Sequence, residues 1–320
     1  MSALKVRPAL PTDLEAAARV YTLARPGNPA TAARLSAEDA AQQNVGAHHR
    51  RWLALAQGEV VGVAELVEPL GSRAPGSFWM ELAVAEEWRG RGAGTLLYRT
   101  LLEDAQGQRL HRLKAVVSEA NPTALRFAAT RGFQEVERFW DRTLELSSFG
   151  AARHLHRTPA GLDFLNLSEF MARQPESLEA LHALSEEARL DLPRAPGETA
   201  QALPLSATQT FFAGFDPALV TLALSQDTPR PLGYVALEPS GVPGELLITM
   251  TGVARAERGK GVARAVKVAS MLAAQAAGWE RVRTTNHSSN LPMLRVNDAL
   301  GFGREPARLG LLREWPRQNE

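Results

Sequence analysis

Residues Arg89 to Thr95 read Arg-Gly-Arg-Gly-Ala-Gly-Thr, a set of residue types suited to holding an anion. Glycine lets a backbone approach a ligand closely and turn several N–H groups the same way. Arg89 and Arg91 add full positive charges. The stretch follows an apolar run from Phe78 to Val84 that has the length of a buried strand. It precedes Leu96, Leu97, Leu101, Leu102 and Ala105, whose spacing is that of one face of an amphipathic helix. Gly90, Gly92 and Gly94 therefore fall at a strand-to-helix turn. A helix N-terminus carries partial positive charge, so the whole suits a phosphate or diphosphate. Taken alone, three alternating glycines also fit a plain tight turn.

The stretch does not stand alone. Arg258 to Ala263, Arg-Gly-Lys-Gly-Val-Ala, repeats it, and the surrounding landmarks repeat with it. Val84 aligns with Val253, Gly92 with Gly261, Asn121 with Asn290, and Gly132-Phe133 with Gly301-Phe302, all at an offset of 169 positions. The distance from the arginine to the closing Gly-Phe is 43 positions in both copies, so no gap is needed. Two copies of one domain are expected, residues 1–150 and 155–320, each large enough to bury its own core.

Composition narrows the classes. Thirty-six Lys and Arg against 35 Asp and Glu leave a net charge of +1, which gives no basic field for nucleic acid or an anionic membrane. The absence of cysteine removes disulfides, thiolate nucleophiles and Cys-ligated metals. The start, Met1-Ser-Ala-Leu-Lys-Val-Arg-Pro8, lacks the apolar core of a signal peptide, and no run reaches the length of a membrane span. A cytoplasmic protein, monomer or homodimer, is the expectation. His154 and His156 have no acidic partner nearby and read as part of a solvated linker, so no metal site is expected.

The elements that must position the glycine turns follow from periodicity and punctuation. In the first copy, a strand is predicted over residues 4–7 and a helix from Pro11, with Leu14, Ala17, Ala18 and Tyr21 on one face. A second helix is predicted from Ser36 to about Asn44, with Ser36 as its N-cap. Strands follow at 52–56, 60–67, 78–84 and 113–118, with loops at 25–33 and 69–76. Asn121-Pro122 opens a helix that Gly132 stops, and residues 135–146 supply one or two strands. The second copy repeats the order. It has a strand at 162–167, helices at 176–188 and 206–213, strands at 219–224, 232–237 and 246–253, the turn, a helix, a strand at 281–286 and a helix at 291–300. Loops are predicted at 191–204 and around Asp227. This is an α/β fold, a sheet with helices on its faces.

That order, with the glycine turn after the fourth strand and an Asn before a helix ending in Gly-Phe, resembles the GCN5-related N-acetyltransferase (GNAT) family. The duplication is similar to its tandem, mycothiol synthase-like members. The resemblance implies two tandem acyl-CoA N-acyltransferase domains, each a mixed, mostly antiparallel sheet flanked by helices. It implies an acetyl-CoA site in one or both halves, an amine acceptor and no metal. The family pattern maps onto Arg89, Gly92 and Gly94, and onto Arg258, Gly261 and Ala263. Backbone amides around Gly90, Arg91, Gly92, Ala93, Gly94 and Thr95, and around Gly259, Lys260, Gly261, Val262 and Ala263, would hold the diphosphate. A strand edge freed by a splay at a bulge would pair with the pantetheine arm along Leu82, Ala83 and Val84, and along Thr251, Gly252 and Val253. Asn286, Asn121 and Asn290 join the cofactor-contacting set. The last two are equally well placed to cap helices.

Acyl transfer to an amine asks for a base to take the amine's proton and a donor near the departing sulfur. Glu81 lies where many family members carry a strand glutamate. It can also be a carboxylate paired at a strand edge, and its counterpart is Met250. The family's tyrosine donor is replaced by Ala128 and Asn297, and an asparagine can donate a hydrogen bond but cannot act as an acid. His287 ends a strand at the expected cleft and is a candidate base in the second copy. By alternation, it and Asn286 point to opposite faces. These residues leave two readings open. One is an N-acetyltransferase working by direct attack, with one half active; the other is an acyl-CoA-binding sensor without catalysis.

Overall fold

The computed structural model describes residues 4–25, 27, 29–69, 76–150, 158–174, 178–193, 200–227 and 230–316. His154, His156 and parts of the loops expected at 25–33, 69–76, 191–204 and around Asp227 lie outside them. In chain order the elements are β1 (Lys5–Pro8), α1 (Leu14–Ala24), α2 (Ala32–Asn44), β2 (His49–Ala56), β3 (Glu59–Val67), β4 (Ser77–Val84), α3 (Ala93–Gly107), β5 (Arg112–Ser118), α4 (Pro122–Ala129) and β6 (Gln134–Glu145). They continue as β7 (Leu162–Asn166), α5 (Leu167–Arg173), α6 (Leu178–Leu190), α7 (Leu205–Ala213), β8 (Val220–Ser225), β9 (Pro231–Pro239), β10 (Glu245–Val253), α8 (Val262–Ala276), β11 (Arg281–His287), α9 (Leu291–Leu300), β12 (Gly303–Arg304) and β13 (Arg308–Glu314).

Two compact units form, and they do not coincide with the sequence halves 1–150 and 155–320. The first comprises Met1–Glu137 together with Arg308–Glu320; the second is Arg138–Ala307. The reason is an exchange of closing strands. In the second unit, Phe139–Glu145 of β6 pair antiparallel with β11. In the first, all of β13 pairs antiparallel with β5, from Arg308 opposite Ser118 to Glu314 opposite Arg112. Hydrophobic alternation says which face a strand residue takes, not which edge receives the strand.

Each unit is a mixed, mostly antiparallel sheet flanked by helices. The first has the strand order β1-β2-β3-β4-β5-β13, and the second β6-β11-β10-β9-β8-β7. The parallel pairs are β4 with β5 and β10 with β11. Ala17, Ala18, Val20 and Tyr21 of α1 bury against Leu53, Val63 and Ala83 of the first sheet. In the second, α8 buries Val262, Val266, Val268 and Met271 against Val235, Leu237, Leu246 and Val282.

Two local expectations are corrected. Helix α2 starts at Ala32, not Ser36, because the Thr31 hydroxyl accepts from the Arg34 amide and takes the N-cap. The strand expected over 162–167 stops at Asn166. There the Asn166 side chain accepts from Glu169 N while Glu169 accepts from Asn166 N, a capping box that starts α5.

Candidate functional site

In each unit the two parallel strands part company halfway. β4 pairs with β5 at Ser77, Phe78 and Trp79 only, while its pairing with β3 runs on to Val84. β10 pairs with β11 from Glu245 to Ile248, while its pairing with β9 runs on to Val253. The edges Met80–Val84 and Thr249–Val253 are therefore left without a strand partner on that side, and Leu82–Val84 and Thr251–Val253 fall within them. The bulge expected at the splay is present in the second unit, where the register shifts between Ile248 and Met250. In the first unit β4 runs against β3 without a shift.

Each freed edge leads through a short 3-10 turn into the glycine bend. Gly92 (φ +93°) and Gly261 (φ +88°) are the N-caps of α3 and α8, and Gly90 and Gly259 share the left-handed conformation. A side chain at any of the four is strained by its backbone. The first intrahelical bonds are Leu96 N to Gly92 O and Ala265 N to Gly261 O, so the amides just ahead have no partner inside the helix. Arg89 Nε donates to Val84 O at 3.1 Å and Arg258 Nε to Val253 O at 3.0 Å. Each arginine ties its bend to the end of the strand that leads into it.

The electrostatics of the two bends differ. Around the first, Arg91 lies over the Trp88 ring. Arg131 donates to Thr95 Oγ1 at 3.0 Å with its guanidinium 3.5 Å from the centre of the Phe127 ring, beside the N-terminus of α3. Around the second, Asp191 takes Arg258 at 2.7 Å and Arg255 at 2.7 Å, which holds its carboxyl well below the usual range. Lys260 pairs with Glu257 at 3.1 Å. The second bend thus has its cations matched by carboxylates, and the first gains a cation, Arg131, that sequence spacing did not single out.

Glu81 projects from β4 on the face covered by α1, directly across from Glu65 of β3. Its carboxylate meets the Arg25 guanidinium, which lies over the Tyr21 ring. Burial raises its pKa, Arg25 opposes that shift, and the charge of Glu65 adds to it. Behind it lies a buried cluster. Glu65 accepts from Tyr21 Oη at 3.0 Å and from Arg51 Nη2 at 3.0 Å, and lies 2.5 Å from His49 Nε2. Arg51 also reaches Asp39 at 3.0 Å. Burial works to raise the Glu65 carboxyl, but His49 and Arg51 outweigh it and the net shift is downward. One ligand atom from each of Asp39, His49 and Glu65 lies within 4.8 Å of the others. The imidazole nitrogens face different carboxylates and Arg51 bridges both acids, so the group reads as an ion-pair cluster. Arg51 lies directly opposite Glu65 in the β2–β3 register, and His49, two residues earlier on β2, shares its face.

In the second unit Met250 takes the position of Glu81. Asn297 is fully buried; it accepts from Lys267 Nζ at 2.6 Å and donates to Asn286 Oδ1 at 2.6 Å. His287 packs edge-on to Phe139 of β6 and bonds Ser289 Oγ at 2.7 Å. Asn121 and Asn290 cap their helices, accepting from Ala124 N at 3.0 Å and Met293 N at 3.3 Å. Among the described residues, no helix is long and apolar enough to cross a membrane.

Comparison with known proteins shows what this geometry is similar to. Residues 17–133 match the model of the acetyltransferase (GNAT) family. A GCN5-related N-acetyltransferase from Sphaerobacter thermophilus superposes with a TM-score of 0.73 at 20% identity, over 97% of this chain and 95% of that one. A tandem GNAT protein from the clavulanic acid biosynthesis pathway does so with a TM-score of 0.71 at 21% identity, over 99% and 100%. No curated protein matches the chain in sequence.

Proposed function

On the premise that the chain has the tandem GNAT fold and carries a GNAT-family domain at residues 17–133, we propose that it is an N-acetyltransferase whose first unit does the chemistry. Acetyl-CoA is the donor and a primary amine the acceptor. The observation that carries this reading is the placement of Glu81. It lies on the strand whose edge is freed at the splay, with a carboxyl that burial makes more basic.

The amides at the N-terminus of α3 hold the diphosphate, with Arg91 and Arg131 beside them. The pantetheine arm adds to Leu82–Val84 as a strand would. Glu81, released from Arg25, takes a proton from the acceptor's ammonium, and the free amine attacks the thioester carbon. The tetrahedral intermediate collapses with departure of the CoA thiolate. In this unit Ala128 offers no proton at the position of the family's tyrosine, so the nitrogen's second proton passes through solvent to the thiolate, which departs as free thiol. The second unit keeps the bend and the freed edge but has Met250 for a base, and it binds acyl-CoA in an accessory role.

Separate Gly92→Val and Gly261→Val substitutions test the assignment. Thiol release from acetyl-CoA with an amine panel is expected to fall at least about tenfold for the first and to persist for the second. Equal loss from both would defeat the division of labour. CoA binding by the unchanged chain with no thiol release for any amine would favour the sensor reading.

A further inference from the structure

Lys267 sits in the second turn of α8 and is fully buried, with no carboxylate among the described residues against it. It occupies the position that Tyr98 holds in the first unit. Its ammonium lies 5.1 Å from the centre of the Phe302 ring and donates to Asn297 Oδ1 at 2.6 Å. The charged group that bears on it from the packed elements is Arg142 of β6, itself paired with Asp298 of α9. A buried cation without a counter-ion is costly, and strongly perturbed titratable groups cluster at functional sites.

The proton fixes two amides in series. An ammonium only donates, so Asn297 must turn its oxygen to Lys267 and its Nδ2 to Asn286. Asn286 then accepts through Oδ1 at 2.6 Å, which leaves its own Nδ2 as the outward donor. Asn286 stands two residues beyond Thr284, the last β11 residue paired with β10, and so at the mouth of the splay.

We infer that Lys267 is a positioning residue of the second cleft, setting the Asn297–Asn286 pair so that Asn286 donates a hydrogen bond to an amide carbonyl of the acyl-CoA arm. The inference rests on the reading that this cleft holds acyl-CoA. Burial, with Arg142 adding to it, lowers the Lys267 pKa to about 7. When the proton leaves, the neutral amine can accept as well as donate. Asn297 is then free to reverse, and Asn286 presents its oxygen to the cleft instead. The second cleft therefore grips acyl-CoA more firmly below neutrality than above it. The first cleft has no such lysine and serves as an internal control.

The test is calorimetric titration of the full chain with acetyl-CoA at about pH 6.5 and about pH 8.5, on either side of the lysine's transition. The two binding events are assigned by repeating the titration with Gly92→Val and with Gly261→Val. The affinity lost by Gly261→Val is expected to be about tenfold weaker at the higher pH, the worth of one hydrogen bond. Lys267→Met is expected to remove that dependence and to leave the first event unchanged. Thermal unfolding shows whether the variant is folded. In the ligand-free protein, the side-chain amide resonances of Asn286 and Asn297 should shift with pH near neutrality and stop shifting in Lys267→Met. A second event of equal affinity at both pH values, in the native chain and in Lys267→Met, overturns the role of Lys267 alone. No second event at either pH, with the first intact, overturns the accessory-site reading together with it.

Discussion

Replacing Glu65 with Gln keeps the shape of the side chain and removes its charge. Glu65 and Arg51 each expose 6% of their surface, so water cannot take over the missing anion. Arg51 is left with Asp39 at 3.0 Å as its only carboxylate from this cluster, and Tyr21 loses an ionised acceptor. Removing one member of a buried ion pair costs about 3–5 kcal/mol, and Asp39 keeps the figure near the lower end. For a unit of about 150 residues, ~3 kcal/mol lowers the unfolding midpoint by about 6–12 °C.

The effect also has a pH signature. The folded-state pKa of Glu65 lies below its unfolded value, so its contribution is present in full above the usual carboxylate range. It is lost as pH falls through the folded value, and Glu65→Gln should flatten this acid-side loss. The same substitution removes one of the charges that raise Glu81. The acid limb of kcat/KM should move to lower pH. Calorimetric unfolding across pH and a pH–rate profile are the assays. A loss under about 1 kcal/mol, with the acid limb unmoved, would refute both the buried-pair argument and the link to Glu81.

Glu81→Gln should lower kcat by roughly 10²–10⁴ while acetyl-CoA affinity stays within about twofold, since the residue serves the amine and not the cofactor. In the unchanged chain the acid limb should lie above the ordinary carboxylate value, because burial raises the Glu81 pKa. A small kcat effect would remove Glu81 as the base. A chain ending at Ala307 loses β13 with buried Leu309, Leu311 and Leu312, each contributing about 1.5–3 kcal/mol. Hydrogen exchange should then show the first unit unprotected; native protection of β5 would contradict the strand assignment.

Much of this architecture was legible because its signals are local. The glycine bends, the Asn121 and Asn290 caps and the stop at Gly301 each rest on a residue type matched to one backbone conformation. Thr31 and Asn166 are signals of the same kind that could have placed the starts of α2 and α5. Lys267 could not be read this way. It interrupts a run of apolar residues in α8, and spacing gives no sign that a lysine there points inward. The Glu65 cluster joins α1, α2, β2 and β3, so its members are far apart in sequence and meet only through the register of β2 and β3. The strand exchange is hidden for the same reason, since β6 and β13 carry ordinary strand patterns whichever edge receives them.

The exchanged strands bear on how such a gene can change over generations. The last strand encoded by the first copy completes the second unit, and the last strand encoded by the second copy completes the first. Deleting either copy would strip the survivor of a sheet edge and leave it an unmatched segment. Each copy is therefore held in the gene by the folding of its twin, whichever of the two does the chemistry.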